Sequence, residues 1–108
     1  MNELNKNENY SNQNFENIKH FDENGIEYWY ARELQQVLNY KEWRKFENVI
    51  KKSEESCKNS GISTFEHFVG ADKLSKRANN AKAIIKDYKL TRYACYLIAQ
   101  NGDSRKKL

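Results

Sequence analysis

One uninterrupted apolar segment constrains the fold of this chain more than any other feature. From Tyr93 to Ala99 the sequence reads YACYLIA, although 31% of the 108 residues are charged. A helix that is apolar in every direction has to be buried on most of its sides. We therefore expect residues 92–100 to form a buried C-terminal helix, capped by Thr91 and ended by Gly102.

The rest of the sequence predicts an α+β fold around this helix. Residues 15–21 and 26–30 are short β-prone runs, and the Asn-Gly pair between them predicts an N-terminal hairpin. A helix pair follows at about 31–38 and 42–59, where apolar residues recur at helical spacing. The polar stretch GADKLSKRANNAKA and the next segment, AIIKDYKLT, predict a β-ribbon with a polar tip.

Length and composition predict one ordered domain. Residues 15–108 are expected to form it, and the Asn-rich residues 1–14 to be a flexible lead-in, because they contain too few apolar groups to order themselves. The final SRKKL suggests a chain cut from a longer protein. No apolar run is long enough for a membrane span and no secretory signal is evident, so we expect a cytoplasmic protein whose Cys57 and Cys95 are buried thiols.

The sequence lacks the residue groupings that catalysis needs. His20 and His67 are isolated, and the four glycines form no phosphate-binding loop. We therefore predict a non-enzymatic domain with no catalytic residues, no metal and no cofactor. A metal-dependent nuclease using Glu66, His67 and Asp72 stays open as a minor alternative.

Positive charge next to amide groups is the main functional signal. Residues 1–25 carry a net charge of −3, whereas residues 26–108 carry +7, which favours a polyanionic partner. One basic run lies on the second helix of the pair, whose start follows a turn of helix-turn-helix length, and another follows in the ribbon. The residues predicted to contact DNA are Arg44, Lys45, Lys51, Lys52, Lys73, Lys76, Arg77, Asn79, Asn80, Lys82 and Arg92.

Three stretches carry a family resemblance. YWYARELQQVLNYKEWRKFENVIKKSEESCKNSG, then ISTFEHF, then KDYKLTRYACYLIAQNGDSRK resemble the DNA-damage-inducible protein D family, whose amino-terminal region is similar to the BRO-N domain of phage and viral antirepressors. The resemblance covers about residues 20–106. It implies an α+β BRO-N-like fold, a bacterial or phage origin, and a role in the DNA-damage (SOS-type) response or in phage-related regulation.

Two functions remain open at this point. The first is a DNA-binding regulatory domain that contacts phosphates through its basic surfaces. The second is an antirepressor-like protein-interaction module that engages a repressor or a repair protein, or a second copy of the chain, through an aromatic surface of Tyr28, Tyr30, Tyr40 and Trp43.

Overall fold

A computed structural model of the protein describes residues 14–76 and 82–108. The lead-in predicted for residues 1–14 therefore lies almost wholly outside the described residues. Three of the predicted DNA contacts, Arg77, Asn79 and Asn80, lie outside them too, as does the side chain of Lys76.

The N-terminal hairpin is confirmed, but it is shorter than the sequence predicts. Strands β1 (His20–Phe21) and β2 (Glu27–Tyr30) pair antiparallel around a turn in which Gly25 has φ = 80°. Phe15, expected in the first strand, instead lies in a helical turn at residues 14–17. Its ring stacks on Trp29 with centroids 4.7 Å apart, and its carbonyl accepts the Trp29 indole hydrogen bond at 2.8 Å. Burial against a core tryptophan therefore outweighs the β-propensity of this run.

The predicted helix pair is present as α1 (Ala31–Val37) and α2 (Trp43–Asn59). Asn39, in the turn between them, adopts φ = 62°, a conformation that asparagine tolerates better than most residues. The spacing predicts a buried stripe on α2 that consists of Trp43, Phe46, Ile50, Ser53 and Cys57. The last four are fully buried, whereas Trp43, the first residue of the helix, is only partly buried.

Two antiparallel sheets complete the fold. Strands β3 (Phe68–Gly70) and β6 (Tyr88–Leu90) extend the hairpin into a four-stranded sheet of order β1-β2-β6-β3. Strands β4 (Lys73–Lys76) and β5 (Lys82–Ile85) form the predicted ribbon as a separate two-stranded sheet. The α+β fold class is therefore confirmed.

The C-terminal helix α3 (Arg92–Asn101) lies against the inner face of the four-stranded sheet and against α2. Its buried residues are Ala94, Cys95 and Ile98, and the Thr91 hydroxyl accepts a hydrogen bond from Ala94 N at 3.2 Å, as the capping prediction requires. Burial is not complete, because Tyr96 is 48% exposed. Cys57 and Cys95 are both buried and free, which confirms that prediction.

Candidate nucleic-acid interface

The outer face of α2 is the best-formed basic surface among the described residues. Its apolar stripe faces the core, and the helical repeat of 100° per residue places the cations on the opposite arc. Arg44, Lys51 and Lys52 are exposed there, and no carboxylate lies within 4.0 Å of their charged groups in the described part of the chain. We call these three residues the α2 basic face. Their charge is therefore available to an external anion.

Two acidic residues reduce the positive charge of this surface. Lys45, which the sequence also predicts to contact DNA, forms an exposed ion pair with Glu42 at 3.3 Å. Glu55 is exposed and falls on the same arc as the α2 basic face, one turn further along the helix. The greatest excess of positive charge thus lies in the first half of α2.

The ribbon contributes less free charge than the sequence predicts. Lys73 lies 3.3 Å from the buried carboxylate of Asp87, and its ammonium is 3.8 Å from the centroid of the Tyr30 ring. It therefore holds the base of the ribbon to the body of the domain. Lys82 is exposed and has no carboxylate partner among the described residues, so it remains a candidate for phosphate contact.

Arg92 is engaged within the domain. Its guanidinium donates to Glu27 at 2.9 and 3.1 Å and to Glu16 at 3.0 and 3.2 Å, and it lies 5.0 Å from the centroid of the Trp29 ring. Hydrogen bonds from Arg92 hold the pKa values of both carboxyls below their ordinary value. Since two carboxylates already neutralise it, we exclude Arg92 from the interface that we propose below.

The two basic runs meet at an ion pair. Lys86, which follows β5, lies 2.9 Å from Glu47 of α2, and this contact lowers the pKa of Glu47 and raises that of Lys86. At this junction the ribbon's positive charge is therefore balanced by an acid.

The predicted aromatic surface separates into two places. Tyr28 and Tyr30 lie on the outer face of the four-stranded sheet, since Trp29 between them points into the core. Trp43 instead packs at the start of α2, with the Arg32 guanidinium 3.8 Å from its ring centroid, and Tyr40 contacts the Phe46 ring.

Two further side chains, which the sequence did not indicate, lie beside Tyr28 and Tyr30 on the outer sheet face. The His20 ring lies 5.5 Å from the Tyr28 ring and 4.9 Å from the Tyr30 ring, because β1 pairs His20 with Tyr28. Lys89 of β6 pairs with Tyr30 and places its ammonium 4.9 Å from the Tyr28 ring centroid. The alternation of Tyr28, Trp29 and Tyr30 along β2 is the sequence signal from which the shared face of the two tyrosines could have been predicted.

Two of the three residues of the nuclease alternative, His67 and Asp72, form hydrogen bonds within the fold. The His67 ring is 2.7 Å from the Thr91 hydroxyl, and an Asp72 carboxylate oxygen accepts a hydrogen bond from Asp87 N at 3.3 Å. No group of three or more His, Cys, Asp or Glu side chains in residues 14–76 and 82–108 is arranged to hold a metal ion. Over the same residues, no helix combines the length and apolar character needed to cross a membrane.

Comparison with known proteins places this geometry in a family. The family model described as "BRO family, N-terminal domain" matches residues 17–107. DNA damage-inducible protein D of Escherichia coli (strain K12) is 46% identical over 94 residues, which cover 87% of this chain and 34% of that protein. The chain thus spans about a third of the length of this relative. No solved structure matches the chain. The resemblance seen in the sequence is therefore confirmed, and the chain belongs to the BRO family, whose N-terminal domain it contains.

Proposed function

We propose that this domain is a non-enzymatic DNA-binding element of a regulatory protein of the DNA-damage response or of phage type. The name of the relative from Escherichia coli supports the biological setting. The observation that carries the DNA contact is the α2 basic face, where Arg44, Lys51 and Lys52 project from one rigid helix without carboxylate partners among the described residues. Cations on one face of a helix can contact several phosphates of a nucleic-acid backbone.

The arrangement of α1 and α2 supports this assignment. The two helices follow each other after a short turn, and Arg44 lies in the first turn of the second helix, where recognition helices approach DNA. The cation–π contact between Arg32 and Trp43 fixes the start of α2. The ribbon, through Lys82, and with Lys76, Arg77, Asn79 and Asn80 as the remaining sequence predictions, would add contacts beside it.

The test is salt-dependent binding to a labelled DNA duplex, measured by fluorescence anisotropy. Lys52→Glu, which lies on the α2 basic face, should weaken binding and reduce the slope of log K against log salt by about 1 or more. Lys107→Glu is the matched control, because it makes the same charge change at an exposed position near the C-terminus. Equal losses in the two variants, or no duplex affinity at low salt, would contradict the proposal.

Separate variants test whether the ribbon contributes to DNA binding. Lys82→Glu, and separately the pair Lys76→Glu and Arg77→Glu, should each weaken duplex binding if the ribbon touches phosphates. Unchanged affinity and salt slope in both would restrict the interface to α2.

A second candidate function is contact with a protein, as in an antirepressor. Leu74 and Ile84 pair across the ribbon and are each 73% exposed, which is unusual for large aliphatic side chains standing together. Copurification from a nuclease-treated host lysate should then retain a defined partner, and Leu74→Ser combined with Ile84→Ser should lose it. Loss of every partner on nuclease treatment would favour DNA alone.

A further inference from the structure

The ribbon of β4 and β5 carries an apolar pair on one of its faces. Leu74 and Ile84 are cross-strand partners, so their side chains stand on the same face, and each is 73% exposed. Lys82 lies on this face too, because alternate side chains along β5 point to the same side. It is exposed and has no carboxylate partner among the described residues. We call these three residues the ribbon face, which combines aliphatic side chains with a free cation.

Contacts at its base hold the ribbon in a fixed position beside α2. Arg32 Nε donates a hydrogen bond to the Lys86 carbonyl oxygen at 2.9 Å, and the Lys86 ammonium lies 2.9 Å from Glu47 of α2. The alternation of β5, continued by one residue, puts the Lys86 side chain on the side of the ribbon face. Glu47 lies one helical turn before Lys51, which belongs to the α2 basic face. The ribbon face and the α2 basic face therefore adjoin each other across the ion pair of Lys86 with Glu47.

The dimensions of a two-stranded ribbon fit the major groove of a DNA duplex. Two antiparallel strands lie about 4.8 Å apart, and with their side chains they fill a groove about 12 Å wide, whereas the minor groove is only about 6 Å wide. The major groove is also where the methyl group of thymine is exposed on the base edge. Aliphatic side chains that stand in water gain free energy when they are buried against such methyl groups.

We infer that the ribbon face enters the major groove, where Leu74 and Ile84 contact thymine methyl groups and Lys82 contacts a flanking phosphate. The inference rests on the proposed DNA-binding function and deepens it, because it assigns the base contacts to the ribbon and the phosphate row to α2. Charge favours this occupant over a basic protein surface, since the cations beside the apolar pair, Lys82 and Lys51, have no carboxylate partners among the described residues.

The test removes the thymine methyl groups from the DNA. Two labelled duplexes of alternating A·T pairs are compared by anisotropy, one with thymine and the other with uracil at every thymine position, so that they differ in the C5 methyl group alone. Wild-type protein should bind the thymine duplex roughly three- to tenfold more tightly, as expected for burying one or two methyl groups. Leu74→Ser combined with Ile84→Ser should bring this affinity ratio close to one.

Three further variants serve as controls. Ile84→Val keeps an aliphatic side chain on the ribbon face and should keep the ratio near that of wild type. Ile85→Ser makes the same loss of apolar surface on the opposite face of the ribbon, where Ile85 is 36% exposed and pairs with Lys73, and should leave the ratio unchanged. Lys82→Gln should weaken the binding of both duplexes equally and make its salt dependence shallower. Thermal unfolding of each variant shows whether the fold is retained.

The outcomes separate this inference from the proposed function. A ratio of one in the wild type, or a ratio that persists in the double serine variant, would overturn the inference and leave the α2 interface to be judged by Lys52→Glu. Absence of duplex affinity at low salt would overturn both. A protein partner that the double serine variant loses, while it retains the wild-type ratio, would assign the ribbon face to protein contact and overturn the inference.

Discussion

The Asp87 carboxylate caps helix α1 from 55 positions away, accepting a hydrogen bond from the backbone nitrogen of Arg32 at 3.0 Å. Tyr30, the N-cap residue of α1, makes no such bond with its own side chain. The same oxygen accepts from Tyr88 N at 2.8 Å, and the other oxygen lies 3.3 Å from the Lys73 ammonium. Among the residues that the structure describes, this second oxygen has no hydrogen-bond partner, so the ion pair with Lys73 compensates for its complete burial. One buried acid thus joins α1, β6 and the ribbon.

Replacing Asp87 should be among the most destabilising single changes. Asp87→Ala leaves the amides of Arg32 and Tyr88 without their acceptor, and we expect a loss of roughly 2–4 kcal/mol in the free energy of unfolding. Urea denaturation measures it. Asp72→Ala is the control, because Asp72 is an exposed acid that accepts one long backbone hydrogen bond. Equal, small losses in the two variants would show that the capping contact contributes little.

The cluster of Arg92 with Glu16 and Glu27 should make stability depend on acid pH. The pKa values of both carboxyls are lowered from 4.5, first by hydrogen bonds from Arg92. A lowered pKa in the folded state contributes stability that is present above pH 4.5 and is lost as the pH falls through the lowered values. Arg92→Gln should therefore reduce Tm at pH 7, and its difference from wild type should narrow as the pH falls below 4.5.

Thermal unfolding across this pH range checks the prediction. Lys52→Gln is the control, since Lys52 has no carboxylate partner among the described residues. A Tm difference between Arg92→Gln and wild type that stays constant with pH would mean that the ion pairs do not stabilise the fold.

Gly102 should not tolerate a side chain. A Cβ at this position would overlap the Tyr40 hydroxyl and lie 3.2 Å from the Ile98 carbonyl oxygen. That hydroxyl accepts a hydrogen bond from Asp103 N at 3.0 Å, so moving it disrupts the end of α3. We expect Gly102→Ala to cost about 1–3 kcal/mol in unfolding free energy. Gly70→Ala is the matched control, because a Cβ there meets nothing within 4 Å, and its effect should stay within about 0.5 kcal/mol.

Glu55→Lys should strengthen DNA binding if the α2 basic face is the interface. Glu55 is the exposed acid on that arc, so the substitution removes a repulsion and extends the row of cations. We expect affinity for a duplex to rise roughly three- to tenfold at low salt, with a steeper salt dependence. Glu23→Lys, in the hairpin turn, makes the same change in net charge and is the control. Equal gains in both variants would indicate a general charge effect and no defined interface.

Periodic patterns in the sequence were sufficient to predict the main helices. The segment from Tyr93 to Ala99 predicted α3, and apolar residues at helical spacing predicted the stripe of α2, which is fully buried except at Trp43. Such patterns are local: a helix needs one apolar face, and that face is visible within a few turns of the chain. The basic arc on α2 was predictable for the same reason, because it is the complement of the stripe.

The tertiary structure decided whether each charged residue forms an ion pair or stays free. Arg92 and Lys73 lie in a basic run of the sequence, yet they are bound by Glu16, Glu27 and Asp87, which come from other elements. An ion pair depends on distance in space, and no spacing along the chain reports it.

By itself, the sequence determined the α+β class, the helix pair, the ribbon and the core helix, because each has a local period or a turn signal. Only the tertiary structure decided which cations stay free, that Phe15 packs on Trp29, and that Asp87 caps α1. The physical reason is that burial and pairing arise between elements distant in the chain, where the geometry of the whole fold sets which groups meet.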